Sequence, residues 1–184
     1  MDNWTRRGFI AAGTAGLTAC SPFQAGRPAE RIDSRSDAAV SFMYDEIPGT
    51  RDLAARSYGM LVMPIVTKAG FGIGGAYGEG SLRIGGATVG YYNTAQASIG
   101  FQFGAQQYAH TLFFMTPESL SDFRASDGWA LGADAEYVVQ DRAGRIGTET
   151  TNVLSPIIAV VYGQAGLIIG VTLEGTKYSQ IFRS

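Results

Sequence analysis

Serine–histidine hydrolytic chemistry would have to use His110, because the chain contains a single histidine. In such a site the imidazole takes a proton from a serine hydroxyl, and Ser98 is the candidate nucleophile. Ser98 is not part of a G-x-S-x-G turn, the arrangement that exposes such a serine. His110 lies in an alternating stretch on the same face as Tyr108 and Leu112, which is typical of a strand. We therefore expect a structural histidine, no catalytic residues and no enzymatic activity.

Other chemically suggestive patterns also fit ordinary strands. Asp134 and Glu136 share one face of a strand, as paired carboxylates of an acid–base site would, but a solvated strand face has the same spacing. Gly70–Gly75 matches the pattern G-x-G-x-x-G of dinucleotide-binding sites. Such a site also needs a helix directly after the motif and an acidic residue about 20 positions later, and here Tyr91 and Tyr92 occupy those later positions. The chain contains one cysteine and one histidine, which are too few for a Cys-based or a His-rich metal site. We expect no cofactor and no metal.

The N-terminal residues have the pattern of an export signal with a lipid attachment site. Arg6 and Arg7 precede a bulky apolar residue, as in twin-arginine signals. Residues 9–19 are mildly apolar and too few to span a bilayer, for which about 20 are needed. The stretch ends at Cys20 in a sequence that resembles a bacterial lipobox, where the cysteine is acylated, palmitate included, and becomes the first residue. Ser21 favours the outer membrane, so we expect a lipid-anchored protein that faces the periplasm.

Three segments follow from this pattern. Residues 1–19 are the expected signal peptide, and residues 20–34, rich in proline, glycine, serine and charge, are an expected flexible tether after the lipidated cysteine. Residues 35–184 are long enough for one domain with its own core. The formal net charge of −2 and the 16% of charged residues argue against nucleic acid as a partner, because phosphate binding needs a basic surface.

Apolar periodicity places short helices before a run of strands. A helix is expected from Ser36 to Ile47 and another after Thr50, which we expect to act as its cap. From Tyr58 the period changes to two, and Pro64 is expected to break the first strand or place it at an edge. Further strands and one helix are expected around residues 71–77, 96–103, 107–114, 117–123 (helix), 135–139, 157–162, 167–173 and 177–182. The predicted fold class is α+β and mainly antiparallel β: a curled, barrel-like sheet with short N-terminal helices packed on it.

Short glycine- and aromatic-rich motifs are spread over Ala38–Phe182: Lys68–Phe71, Gly75–Gly80, Gly90–Asn93, Ala97–Gln106, Phe113–Thr116, Gly128–Gly132, Gly163–Leu167 and Leu173–Lys177. Their order and spacing resemble the bacterial branch of the SYLF-domain family. The resemblance implies lipid binding without catalysis; eukaryotic members bind phosphoinositides, in part through a basic N-terminal helix, and some bind actin.

Two departures from the eukaryotic members limit what the resemblance implies. The corresponding helix, Arg35–Ile47, is acidic on balance, so we do not expect phosphoinositide specificity. The eukaryotic Trp-Ser-x-Pro segment is replaced by Gly90–Asn93. Actin is not an expected partner of an exported bacterial lipoprotein.

The leading expectation is a non-enzymatic domain that binds a phospholipid or a membrane surface. A curled sheet with Tyr91, Tyr92, Phe101 and Phe103 at its rim would offer an apolar groove. Candidate head-group contacts are Arg51, Arg56, Lys68, Arg83, Arg145 and Lys177. The alternative is a structural cell-envelope protein that acts through contacts with other proteins.

Overall fold

The computed structural model describes residues 27–71, 73–99, 104–132, 135–139, 155–166, 173 and 175–183. These residues form one eight-stranded sheet and three helices. The helices are α1 (Pro28–Glu46), α2 (Thr50–Arg56) and α3 (Pro117–Ala125). The strands are β1 (Gly59–Phe71), β2 (Ile73–Ile84), β3 (Ala87–Ile99), β4 (Gly104–Phe114), β5 (Trp129–Ala130), β6 (Ala135–Val139), β7 (Ile157–Gly166) and β8 (Lys177–Ile181).

The strands follow the spatial order β5-β8-β3-β2-β1-β4-β7-β6. Every pair is antiparallel except β6 with β7, which is parallel. The sheet curls into a half-barrel, which confirms the predicted fold class. Gly85 and Gly86 form the turn between β2 and β3 with positive φ angles of 57° and 84°, values that favour glycine in a two-residue hairpin.

Pro64 neither breaks β1 nor places it at an edge, so that expectation is wrong. β1 pairs with β2 on one side and β4 on the other, and both registers shift at Met63–Ile65, where β1 carries an extra residue. A bulge tolerates proline within a central strand because the ladder is already interrupted there. Across the sheet, a Cβ atom at Gly80 would lie 2.0 Å from the carbonyl oxygen of Val62, so only glycine allows this close approach of β2 to the bulge.

Two apolar clusters lie on opposite faces of the sheet. Leu112 and Phe113 are neighbours in β4, and because successive side chains of a strand alternate, they belong to different clusters. The inner cluster contains Leu112 and is closed by Phe123 of α3. The outer cluster contains Phe113 and is covered by Met43 and Ile47 at the end of α1. The N-terminal helices therefore pack on the sheet as predicted.

Helix α1 begins earlier than expected, so Pro28–Ser34, assigned above to the flexible tether, are helical. Proline is well tolerated in the first turn of a helix. Ile32 is buried and lies about two turns before Val40 on the same buried stripe of the helix. The cap expectation for Thr50 is wrong: Gly49 is the N-cap of α2, and the Thr50 hydroxyl instead donates a hydrogen bond to the Ile47 carbonyl at 2.8 Å.

The glycine-rich segment at residues 70–75 joins two strands. Gly70 pairs with Gly74 and Phe71 with Ile73, so strand follows strand where a dinucleotide site would need a helix. Of the strand expected at residues 96–103, β3 covers the part up to Ile99, and residues 100–103 lie outside the described residues. Most of the expected strand at residues 167–173 lies outside them as well. Within the described ranges, no helix is both long and apolar enough to cross a membrane.

Candidate functional site

A cleft of about 620 Å³ lies at the end of the sheet beside α3. Its walls come from α3, the residue before β1, the adjoining ends of β2 and β3, and the end of β8. The apolar lining residues are Tyr58, Ile84, Val89, Tyr92, Pro117, Leu120 and Ala125. The volume of this cleft lies within the usual range for small-molecule sites, about 300–1,000 Å³, and its walls are both apolar and polar.

Two large apolar side chains at this cleft lie open to solvent. Tyr58 is 52% exposed and Val89 is 45% exposed. Single exposed apolar residues are common, but here two of them line the same cleft, where they would contact an apolar ligand.

Tyr92 forms a buried wall of the cleft, so the expectation that it lies at a rim is wrong. Its ring packs against Phe123 with a centroid distance of 4.8 Å. Burial raises the pKa of the Tyr92 phenol, and the positive charge of Arg124 acts in the opposite direction. The Tyr92 phenol is therefore neutral at physiological pH and lies within the electrostatic reach of Arg124.

Arg124 supplies the positive charge of the cleft. Helix α3 starts at Pro117 after Thr116, whose side chain accepts a hydrogen bond from the Ser119 amide at 3.1 Å. The helix buries Phe123, which leaves Arg124 exposed in its last turn, where a cation is favourable. Arg124 has no ion-pair partner among the residues that the structure describes. The cleft thus combines apolar walls with one cation that is not neutralised by a described carboxylate.

A second cleft, about 470 Å³ in volume, lies between α2 and the β2–β3 turn and includes two of the predicted head-group contacts, Arg51 and Arg83. Both arginines are already paired. The Arg51 guanidinium lies 3.0 Å from Asp45 and 4.7 Å from the centre of the Tyr44 ring. This cleft therefore offers less free positive charge than the cleft beside α3.

Arg83 and Tyr91 attach α1 to the sheet. Arg83 is buried, and its guanidinium donates to the Asp37 carboxylate at 2.6 Å and to the Asp33 carbonyl at 3.2 Å. The Tyr91 and Thr88 hydroxyls donate to the two carboxylate oxygens of Asp33 at 2.7 and 2.8 Å. Burial, followed by the bond to Asp33, raises the pKa of Tyr91 to about 12. These contacts give Arg83 and Tyr91 a structural role that the sequence analysis did not predict.

The other predicted head-group contacts lie apart from one another. Arg56 is exposed at the end of α2, where its Nε donates to the Asp52 carbonyl at 3.2 Å, and Lys177 is exposed on β8. Lys68 is buried within β1. Arg145 lies outside the described residues, as do Phe101 and Phe103 and the signal residues Arg6, Arg7 and Cys20. The structure does not bring the described members of this set together into one surface.

His110 is enclosed in the core, in agreement with a structural role. Its Nε2 lies 2.8 Å from the Tyr178 hydroxyl, and burial lowers the pKa of the imidazole to about 3. Ser98 of β3 lies opposite Gly74 of β2. Gly74 lies opposite Gly70 of β1, which lies opposite Gly104 of β4, the strand that carries His110. His110 lies roughly 20 Å further along that strand. The two residues therefore do not form a catalytic pair.

The described residues contain no group of three or more His, Cys, Asp or Glu side chains that could hold a metal ion. Of the carboxylate pair considered above, Glu136 is in β6 and Asp134 lies outside the described residues.

Tyr58, Val89 and Arg124 were missed as site residues because only the fold brings them together. The sequence contained one usable signal: Arg124 follows the short helix expected at residues 117–123, and it follows Phe123, an apolar residue suited to the core. Nothing in the local pattern shows that this helix lies across the end of the β2–β3 hairpin.

Fold and cleft together define a mainly antiparallel half-barrel domain with an amphipathic cleft. Residues 95–181 match the family model Ysc84, described as Las17-binding protein actin regulator. The match covers slightly less than half of the chain and supports the resemblance to the SYLF family. The comparison with curated proteins found no match.

Proposed function

We propose that this domain binds phospholipid without catalysing a reaction, with the lipid in the cleft beside α3. The apolar part of the lipid lies against Tyr58, Val89 and Tyr92, and the anionic phosphate pairs with Arg124. The observation that carries the proposal is the position of an exposed guanidinium, without a described carboxylate partner, on a partly apolar cleft of about 620 Å³. Lipids have this division of apolar and anionic parts, and arginine is well suited to phosphate oxygens.

The proposed setting is the periplasmic side of a bacterial membrane. Cys20 is the acylated first residue of the mature protein, and Arg6 and Arg7 direct its export. The outer membrane is the proposed destination because Ser21 follows the cysteine. An acyl anchor would keep the cleft close to a lipid surface at all times, which makes even a weak lipid affinity effective.

Vesicle flotation tests the proposal directly. The full chain carrying Cys20→Ser, which cannot be acylated, is mixed with phosphatidylcholine vesicles that contain a quarter phosphatidylglycerol. We expect this protein to float with the vesicles and Arg124→Gln to weaken its partition about tenfold, the loss expected for one charge-assisted contact. Val89→Asn, at an exposed position, should weaken it as well because it makes an apolar wall polar.

Arg35→Gln is the matched control, because Arg35 is an exposed arginine of α1 that does not line the cleft. Equal losses from Arg124→Gln and Arg35→Gln would reduce the effect to general charge attraction and remove the cleft from the proposal. Absence of flotation on both neutral and anionic vesicles would remove lipid binding altogether.

The second candidate is a structural envelope protein that acts through protein contacts. It is favoured by the description of the matching family model, which names a protein-binding actin regulator. For an exported protein the partner would be another envelope protein. Reproducible cross-links to specific envelope proteins, with no lipid bound to the purified chain in native mass spectrometry, would favour this candidate over lipid binding.

A further inference from the structure

The inner face of the half-barrel carries a row of polar side chains across the sheet. Ala76 of β2 belongs to the inner cluster, and it pairs with Lys68 on one side and Gln96 on the other. Lys68 in turn pairs with Gln106 of β4. Directly paired residues point to the same face of a sheet, so these side chains share the inner face. Only the methyl group of Ala76 stands between Lys68 and Gln96 in this row.

Thr176 lies next to this row. The pairing of β3 with β8 ends at Ala95 with Lys177, and Thr176 is the buried residue directly before Lys177. Thr94, which is two residues before Gln96 and therefore on the same face, pairs with Tyr178. We call Lys68, Thr94, Gln96, Gln106 and Thr176 the inner polar row.

Lys68 is the cation of the inner polar row, and it is only 4% exposed. Lysine is almost never this buried unless it is paired. No described carboxylate forms an ion pair with Lys68, and no described group forms a hydrogen bond with its ammonium. A lysine side chain this buried with no described carboxylate partner leaves its positive charge available to an anion.

Other polar atoms of the inner face also lack partners among the described residues. The hydroxyl oxygens of Thr94 and Thr176 are buried without a hydrogen-bond partner, and so is Nδ1 of His110. His110 is close to the row, because its other ring nitrogen contacts Tyr178, the residue paired with Thr94. Buried hydroxyls are normally satisfied, and two unsatisfied hydroxyls on the face of the sheet that also carries Lys68 point to a bound group that accepts hydrogen bonds.

We propose that the inner polar row is a binding site for a single anionic oxygen group, a carboxylate or a phosphate. The Lys68 ammonium pairs with the anion, and the Thr94 and Thr176 hydroxyls donate hydrogen bonds to its oxygens. This site is separate from the cleft beside α3, whose lining includes none of these residues. The anion is either a small free ion or the head group of a lipid, and only the second case rests on the proposed function.

Calorimetric titration with inorganic phosphate at constant ionic strength tests the site in the full chain carrying Cys20→Ser. We expect saturable binding, weakened about tenfold or more by Lys68→Met, which keeps the length of the side chain and removes its charge. Arg35→Gln, which removes an exposed arginine of α1, should bind phosphate as the parent does. Histidine ring NMR signals provide a second readout, because His110 is the only histidine of the chain: phosphate should shift them in the parent and not in Lys68→Met.

Thermal unfolding in phosphate-free buffer shows whether Lys68→Met folds. We expect its melting temperature to equal or exceed that of the parent, because the substitution removes a charge without a described partner from a largely buried side chain. If Lys68→Met is unfolded there, the ammonium is part of the folded core and the proposal is overturned. Equal phosphate affinities of the parent and Lys68→Met would overturn it as well.

Vesicle flotation of the same proteins distinguishes the two sources of the anion. If Lys68→Met loses phosphate binding but floats like the parent, the natural ligand of the site is a small free anion. If Lys68→Met loses both phosphate binding and flotation, the ligand is a lipid head group. No phosphate binding by the parent together with unchanged flotation of Lys68→Met overturns the site and leaves the cleft proposal intact. Phosphate binding that depends on Lys68, in a protein that never floats, supports the site and overturns the proposed lipid function.

Discussion

Among single residues, His110 makes the stability of the fold depend on pH. Its pKa is about 3 in the folded protein, because burial disfavours the charged ring, and 6.5 is its ordinary value. Between these values the unfolded chain binds a proton that the folded chain does not, so the free energy of unfolding falls as the pH drops below about 6.5. The slope from this one group approaches about 1.4 kcal/mol per pH unit.

We expect His110→Gln to remove this dependence while keeping a polar group near Tyr178. Between pH 7 and pH 5, the parent should lose about 2 kcal/mol more stability than the variant, as measured by urea unfolding at both pH values. The carboxylates contribute equally to both proteins, so the difference isolates the imidazole. Identical losses in the two proteins would mean that the folded core accepts the proton.

Residue types were easier to predict from the sequence than their partners. The structural role of His110 followed from one histidine in an alternating stretch and the missing nucleophile turn. The contacts of Arg83 and Tyr91 with α1 were not predicted, because their acidic partners are far away in the chain and only tertiary packing brings them together. Lys68 was selected as a cation, but its burial depends on the curl of the sheet, which no local pattern encodes.

Among the elements, α1 depends most on polar contacts with the sheet. The Asp33 carboxylate accepts hydrogen bonds from Thr88 and Tyr91 of β3, and its backbone carbonyl accepts one from Arg83 of β2. Hydrogen bonds to a charged group contribute about 1.5–3 kcal/mol each. Asp33 is half-buried, so the full sum is reduced by solvent.

We expect Asp33→Asn to lower the free energy of unfolding by about 2 kcal/mol, because a neutral amide oxygen accepts these bonds more weakly. Asp45→Asn is the matched control: it breaks the exposed pair with Arg51, which should contribute less than about 1 kcal/mol. Urea unfolding of both variants measures the two effects. Equal changes would show that the Asp33 contacts do not hold the helix.

Strands were predicted better than element boundaries. The period-two pattern identified β4, and Pro117 in a first helical turn identified α3, both with nearly correct limits. The absence of a βαβ alternation indicated the antiparallel architecture. The start of α1 was missed because residues 28–34 are rich in charge and begin with proline, which resembles a tether, while the single apolar Ile32 carries the helical signal. The role of Pro64 was wrong because a bulge depends on the register of both neighbouring strands.

In the whole molecule, the start of α1 and the cleft lie at the same end. Asp33, in the N-terminal half of α1, contacts Thr88, and the next residue, Val89, lines the cleft. Because α1 begins at Pro28, the chain from Cys20 to Arg27 reaches at most about 25 Å. Under the proposed acylation of Cys20, the cleft would therefore stay near the lipid surface.

The anchor itself gives a prediction for the whole chain in its native host. Wild-type protein should remain in the membrane fraction after a salt wash, because several acyl chains hold a protein stably where one does so only marginally. Cys20→Ser should be soluble and folded, since Cys20 precedes the folded domain, whereas Arg6→Lys combined with Arg7→Lys should leave unprocessed precursor in the cytoplasm. Intact mass spectrometry of the membrane fraction is the decisive measurement, with an acylated chain that begins at Cys20 as the expected species. A species that begins at Met1, or a wild type that is wholly soluble, would overturn the anchor, and the cleft would then have to recruit its lipid by affinity alone.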